Sequence, residues 1–228
     1  MDVDDLILVS VDDHLVEPPN VFEGRLPAKY VDLAPKFVTR TDGTSAWLYE
    51  GAELGNIALN AVAGRPKEEY GMEPTSFDEI RPGCWDIHER INDMNANGVL
   101  GSLCFPSFPQ FCGQLFARTE DKDVALAMVQ AYNDWHIDEW CGTYPGRFIP
   151  CPIPAIWDPE VLAAEVRRCA AKGAHAVTFS ENVIACAPFL AVRRTSSART
   201  CGSQIAGITH GMNRPGWVPH HSSMCQSL

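Results

Sequence analysis

Residues 6–19 read LILVSVDDHLVEPP. Leu6 to Asp12 is a short apolar, partly β-branched run with the character of a buried strand. It ends in two carboxylates and an imidazole, followed by Glu17 and two prolines. Successive side chains of a strand alternate in direction, so Ser10, Asp12 and His14 fall on one side and Val9, Val11 and Asp13 on the other. If the even positions face a barrel axis, an oxygen and a nitrogen donor converge at the mouth of the strand. That pair suits Zn²⁺ or another first-row divalent ion, which acidifies a bound water or polarises a substrate oxygen. The spacing equally allows Asp12 and Asp13 to cap the following loop, with His14 at the surface.

The chain downstream supplies the setting. Residues 36–50, KFVTRTDGTSAWLYE, predict a hairpin turning at Asp42-Gly43. Asp86 to Asn97 predicts a helix, with Ile87, Ile91 and Met94 on one face and Gly98 as its stop. Val99 to Phe105 predicts a strand ending at Pro106, and Thr119 to Trp140 a long helix with acids in its first turn. Arg147 to Pro152 is a third apolar run. A helix from Asp158-Pro159 through Cys169 follows, then a fourth strand over 174–179. Strands alternating with helices make an α/β fold with a parallel sheet. Neither a dinucleotide-binding nor a phosphate-binding glycine loop is present, nor a Gly-x-Ser-x-Gly nucleophile turn. The polar residues gather where strands end, the face that carries active sites in (β/α)₈ barrels.

Composition narrows the partners. The 228 residues are 46% hydrophobic and 21% charged, with a net charge of −11, which argues against nucleic acid and anionic membranes. No apolar run approaches a membrane span, and the acidic N-terminus lacks the basic segment of a secretory signal. A cytoplasmic location is expected. The nine cysteines are odd in number and scattered, with no Cys-x-x-Cys, so free and mostly buried thiols are expected.

The charge hides a break. Residues 1–181 hold all 29 acids against 14 basic residues, a net −15; from Asn182 onward there are four Arg and no acid. Regular periodicity ends at the same place. The expected organisation is a barrel-type body over 1–182 and an irregular, disordered tail over 183–228, as a change of reading frame would produce. His210, His220, His221 and Cys225 of the tail have no strand context.

VSVDDHLVEPP, together with CWDIHERINDMNANGV (84–99), LGSLCFPSF (100–108), DKDVALAMVQAYNDWHIDEWCGTYPGRFIPCPIPA (121–155) and KGAHAVTFSEN (172–182), resembles the amidohydrolase superfamily. Within it, the likeness is to the aminocarboxymuconate semialdehyde decarboxylase-like group. The resemblance implies a (β/α)₈ barrel with one divalent metal, zinc, or manganese or magnesium in some decarboxylases. Asp12 and His14 match the acid-x-His metal pair of the first strand. Val16 stands where other members carry a second histidine. The remaining metal histidines of the family lie on the fifth and sixth strands and an aspartate on the eighth, beyond the match. The fold expected is therefore the N-terminal portion, about four β/α units, of a truncated TIM barrel.

Other candidates carry competing readings. Glu17 suits either a group supporting the site or substrate, or a loop salt bridge. Phe105 and Pro106 end the second strand on the functional face, where they line a substrate pocket or close the core. Glu181 ends the fourth strand there too. His175 reads as a packed residue, and His88 and His136 as helix positions facing solvent or packed. Trp85, Trp135, Trp140 and Trp157 read as helix-to-sheet packing.

Two functions stand. One is a metal-dependent hydrolase or non-oxidative carboxy-lyase on a small carboxylate or cyclic substrate, inactive at this length. The other is a non-catalytic half-barrel that folds or associates only with a partner. Unpaired strand edges predict a homo-oligomer or aggregate in either case.

Overall fold

The parallel sheet has the order β1-β5-β6, and the residues that build it are those of the apolar runs. The computed structural model describes residues 6–55, 57–58, 61–62, 66–70 and 76–179. β1 spans Leu8–His14, β5 Val99–Phe105 and β6 Phe148–Pro150. β5 is central and parallel to both neighbours. The segment 183–228 and Glu181 lie outside the described residues.

β1 differs from the buried strand expected of its composition. Leu6, Ile7, Leu8, Val9 and Val11 are 47–74% exposed. The cause is topological: β1 pairs only with β5, so among the described residues one edge has no strand beside it. A bulge also interrupts the simple alternation. Ser10 pairs with Ser102 and Asp13 with Cys104, three positions on β1 against two on β5. Paired residues of a parallel ladder share a face, so Ser10 is parted from Asp12 and His14.

The helices begin where side chains can cap them. α1 (Ile87–Ala96) starts after Asp86, whose carboxylate accepts from the His88 and Glu89 amides. It ends before Gly98, which takes the left-handed φ of +68° that a C-terminal stop requires. α2 (Gln114–Ala117) is a single turn. α3 (Lys122–Asp134) starts later than its pattern suggested. Asp121 caps it through the Asp123 and Val124 amides, while the Thr119 hydroxyl is bonded to Tyr49 Oη at 2.7 Å. A π-helical turn, Trp135–Cys141, extends α3. α4 (Pro159–Ala171) is capped by Asp158, with proline at its first position.

The fourth strand expected over 174–179 is not formed. Ser102 N–H donates to Arg147 O (2.9 Å), so odd-numbered residues of β6 bond toward β5. Even-numbered ones bond outward, toward the arriving segment. Those positions include Pro150, Pro152 and, just beyond, Pro154, which have no N–H. One main-chain bond results, from Thr178 N–H to Pro152 O at 2.9 Å, reinforced by the Thr178 hydroxyl at 3.0 Å.

Between β1 and α1 lies a separate antiparallel meander of β2 (Lys36–Thr39), β3 (Ser45–Tyr49) and β4 (Ala52–Leu54). Its first hairpin turns at Asp42-Gly43 as expected; β4 was not anticipated. Its Trp47 is buried against Phe22 and Phe108, with ring centroids 6.4 and 4.4 Å away. Phe108 lies just past β5, so this aromatic cluster covers the C-terminal end of the parallel sheet. Cys104, Cys141, Cys151 and Cys169 are free and buried, as expected, and Cys112 is buried too.

Candidate active site

The end of β1 is fastened from the helical side. Arg90 of α1 donates from Nη1 to Asp13 Oδ1 (2.6 Å) and from Nη2 to His14 O (2.9 Å). The Ser102 hydroxyl donates to the other Asp13 oxygen. Leu15 N–H then bonds Phe105 O at 3.1 Å, and Val16 N–H bonds Cys84 O at 2.8 Å. Asp13 thus faces the helices, and the residues either side of it turn to the opposite face. There His14 Nε2 and Asp12 Oδ1 stand 3.5 Å apart, their side chains 32% and 62% exposed. The Phe105 ring lies over His14, centroids 5.6 Å apart and tilted 31°. His14 Nδ1 is buried with no hydrogen-bond partner, as is Ser107 Oγ.

Of the two readings of Glu17, the loop salt bridge is not what the structure has. Glu17 is fully buried, and no ion pair among the described residues involves it. Oε1 accepts from Ser107 N–H (2.9 Å) and Tyr132 Oη (2.7 Å), and Oε2 from Phe108 N–H (2.8 Å). Burial without a cation pushes its carboxyl up to about 7, against the pull of the Phe108, Ser107 and Tyr132 bonds. Tyr132 is held well above its usual value by burial and by the neighbouring Glu17 charge, so it remains a donor.

An amidohydrolase family model matches residues 38–189, two-thirds of the sequence. The chain belongs to the amidohydrolase family. Among solved structures, an amidohydrolase from Mycobacterium avium subsp. paratuberculosis K-10 superposes with a TM-score of 0.59 at 19% identity. That alignment covers 76% of this chain and 49% of the other, so this amidohydrolase chain spans about half the length of its structural relative. No curated protein matches it at a significant level. The likeness supports the fold, with its parallel sheet.

Whether these residues suit the divalent ion of the family is a question of donors. The 3.5 Å between Asp12 Oδ1 and His14 Nε2 is close to the ~3.4 Å edge of a tetrahedron with bonds of about 2.1 Å. The pair therefore fits two corners of a zinc site. A catalytic zinc takes about three protein ligands, and among the described residues no group of three His, Cys, Asp or Glu could hold an ion.

The remaining candidates separate. The Phe105 ring lies against His14, and Pro106, which follows it, is buried. His175 is exposed rather than packed, because the strand meant to bury it does not form. His88 is exposed and paired with Tyr144 Oη at 2.8 Å. His136 is fully buried, its ring packed against Tyr132 and Trp135 and next to the Cys104 thiol. No described helix is long and apolar enough to cross a membrane. The sequence reading missed Arg90 and Tyr132, which hold the site from behind. Their signal is faint, an acid beside the Asp-x-His pair and a tyrosine inside an amphipathic helix.

Proposed function

We propose that this chain carries the first-strand portion of a metal-dependent amidohydrolase site, with Asp12 and His14 as two donors to a divalent ion. Zn²⁺ is the first choice, with Mn²⁺ or Mg²⁺ compatible with the same oxygen–nitrogen set. The observation that carries the reading is the 3.5 Å approach of these two groups on the open face at the end of β1. Such an ion supplies a Lewis acid and an acidified water. Asp13, held by Arg90 and Ser102, fixes the strand end from which the pair projects. The Phe105 ring and Pro106 form the apolar wall for a small carboxylate or cyclic substrate.

The reaction class is hydrolysis or non-oxidative decarboxylation. Either needs a further donor and a group to move a proton, which Asp12 and His14 do not supply. The 228-residue chain alone is therefore inactive in this proposal, a cytoplasmic half-barrel. The second reading, a non-catalytic fragment needing a partner, draws on the bare apolar edge of β1.

Zn²⁺ titration of the purified chain, alongside His14→Ala, tests the donor assignment. Weak binding by the wild type that His14→Ala abolishes supports it; equal binding by both sinks it. Ester, lactone and aromatic carboxylate panels with added Zn²⁺ or Mn²⁺ should give no turnover. Turnover lost in His14→Ala would overturn the inactive reading.

A further inference from the structure

Three segments meet at one buried carboxylate. Glu17 follows β1, Ser107 and Phe108 follow β5, and Tyr132 is in α3. All three groups that face the carboxylate are donors, two backbone amides and one phenol. An all-donor cradle is built for the ionised form, because a carboxylic acid proton would need an acceptor. The titratable neighbour is Tyr132, with the thiols of Cys104 and Cys141 behind it. The loop so held begins at Phe105, whose ring rests on His14.

We infer that Glu17 is a positioning residue, its carboxylate locking the loop after β5 onto the end of β1 so that Phe105 sets the orientation of His14 beside Asp12. The inference rests on the reading of Asp12 and His14 as metal donors, and it assigns Glu17 no contact with metal or substrate. Ser107 and Phe108 carry the coupling: each amide is fixed at 2.8–2.9 Å, one on each carboxylate oxygen. Loss of the charge weakens both at once, leaving the loop to the aromatic packing of Phe108 and to main-chain bonds such as Leu15 N–H to Phe105 O and Gln110 N–H to Ser107 O.

Two measurements on the full chain test this. In ¹⁵N spectra, the Ser107 and Phe108 amides should shift together between pH 5.5 and 8.5 with one midpoint near neutrality. Flat amides in the wild type overturn the inference, as does a titration that persists in Glu17→Gln. In Zn²⁺ calorimetry, Glu17→Gln should bind roughly 10-fold more weakly. Tyr132→Phe, which keeps the carboxylate and both amides, should fall between it and the wild type. Leu162→Ala, a buried α4 change in a separate apolar cluster, controls for general loosening. Wild-type affinity in Glu17→Gln, or an equal loss in Leu162→Ala, overturns the positioning role. Wild-type affinity in His14→Ala overturns instead the donor assignment on which it rests.

Discussion

At the scale of single residues, the site is a matter of which carboxylates have cations. Asp13 has Arg90 at 2.6 Å, with both side chains mostly buried at 20% and 13% exposure. Replacing Arg90 with Met strands Asp13 and frees the His14 carbonyl, and should cost about 2–3 kcal/mol in urea unfolding. Glu17 has no cation, and its carboxyl is raised to about 7 from an ordinary 4.5. Below pH ~4.5 it is protonated both folded and unfolded, so it exacts no penalty. As pH rises toward 7 the unfolded chain ionises more readily, and stability falls by up to about 3 kcal/mol before levelling off. Glu17→Gln should flatten that slope. Asp93 behaves oppositely: the Arg81 bond holds it below 3.8, so its contribution persists above that value and fades in stronger acid. The two windows do not overlap, and denaturation curves at about pH 2.5, 4, 5.5 and 7.5 separate them.

At the scale of elements, the starts of helices are the most legible features. Asp86, Asp121 and Asp158 each cap a helix with two backbone amides. Asp158→Ala should cost about 1 kcal/mol in thermal or urea unfolding, with little effect on the β1 end, which α4 does not contact through any bond described above. Helix α1, strand β5 and the first hairpin follow from local patterns, because caps, turn residues and apolar periodicity act over a few residues. The failures are non-local. Nothing in Leu6–Val11 reveals that one edge of the strand stays bare, since burial depends on what pairs with it. The alternation of Ser10 with Asp12 looked regular, yet the bulge is a property of two strands and shows only in their register. Glu17 resembled a loop acid because its three donors come from positions 107, 108 and 132, about 90 to 115 residues away. The missing ladder at 174–179 was legible in principle. Prolines at 150, 152 and 154 share one side of a strand, and that side faces the segment expected to pair.

At the scale of the whole molecule, the sheet is lopsided. Leu8, Val9 and Val11 of β1 and Leu100 of β5 remain about half exposed, whereas Ser102 and Cys104 of the central strand are buried. Apolar residues along an unpaired edge recruit other chains. Multi-angle light scattering should therefore find a dimer at micromolar concentration. Val9→Lys, which places a charge on that strand, should shift the distribution toward monomer without unfolding it. A dilution-resistant monomer in the wild type would contradict this account.

The prolines beyond β6 bear on how large such an assembly grows. A filament needs two complementary edges on every copy, so that each addition leaves a fresh place for the next. Among the described residues, this sheet offers β1 alone. Its other margin lacks amide donors at alternate positions, and its Pro152 carbonyl is already engaged by Thr178. Edge-to-edge growth is thereby confined to an isologous pair, two copies joined through β1 with proline-blocked margins turned outward. The same prolines that deny the molecule a fourth strand would keep it from polymerising through that edge.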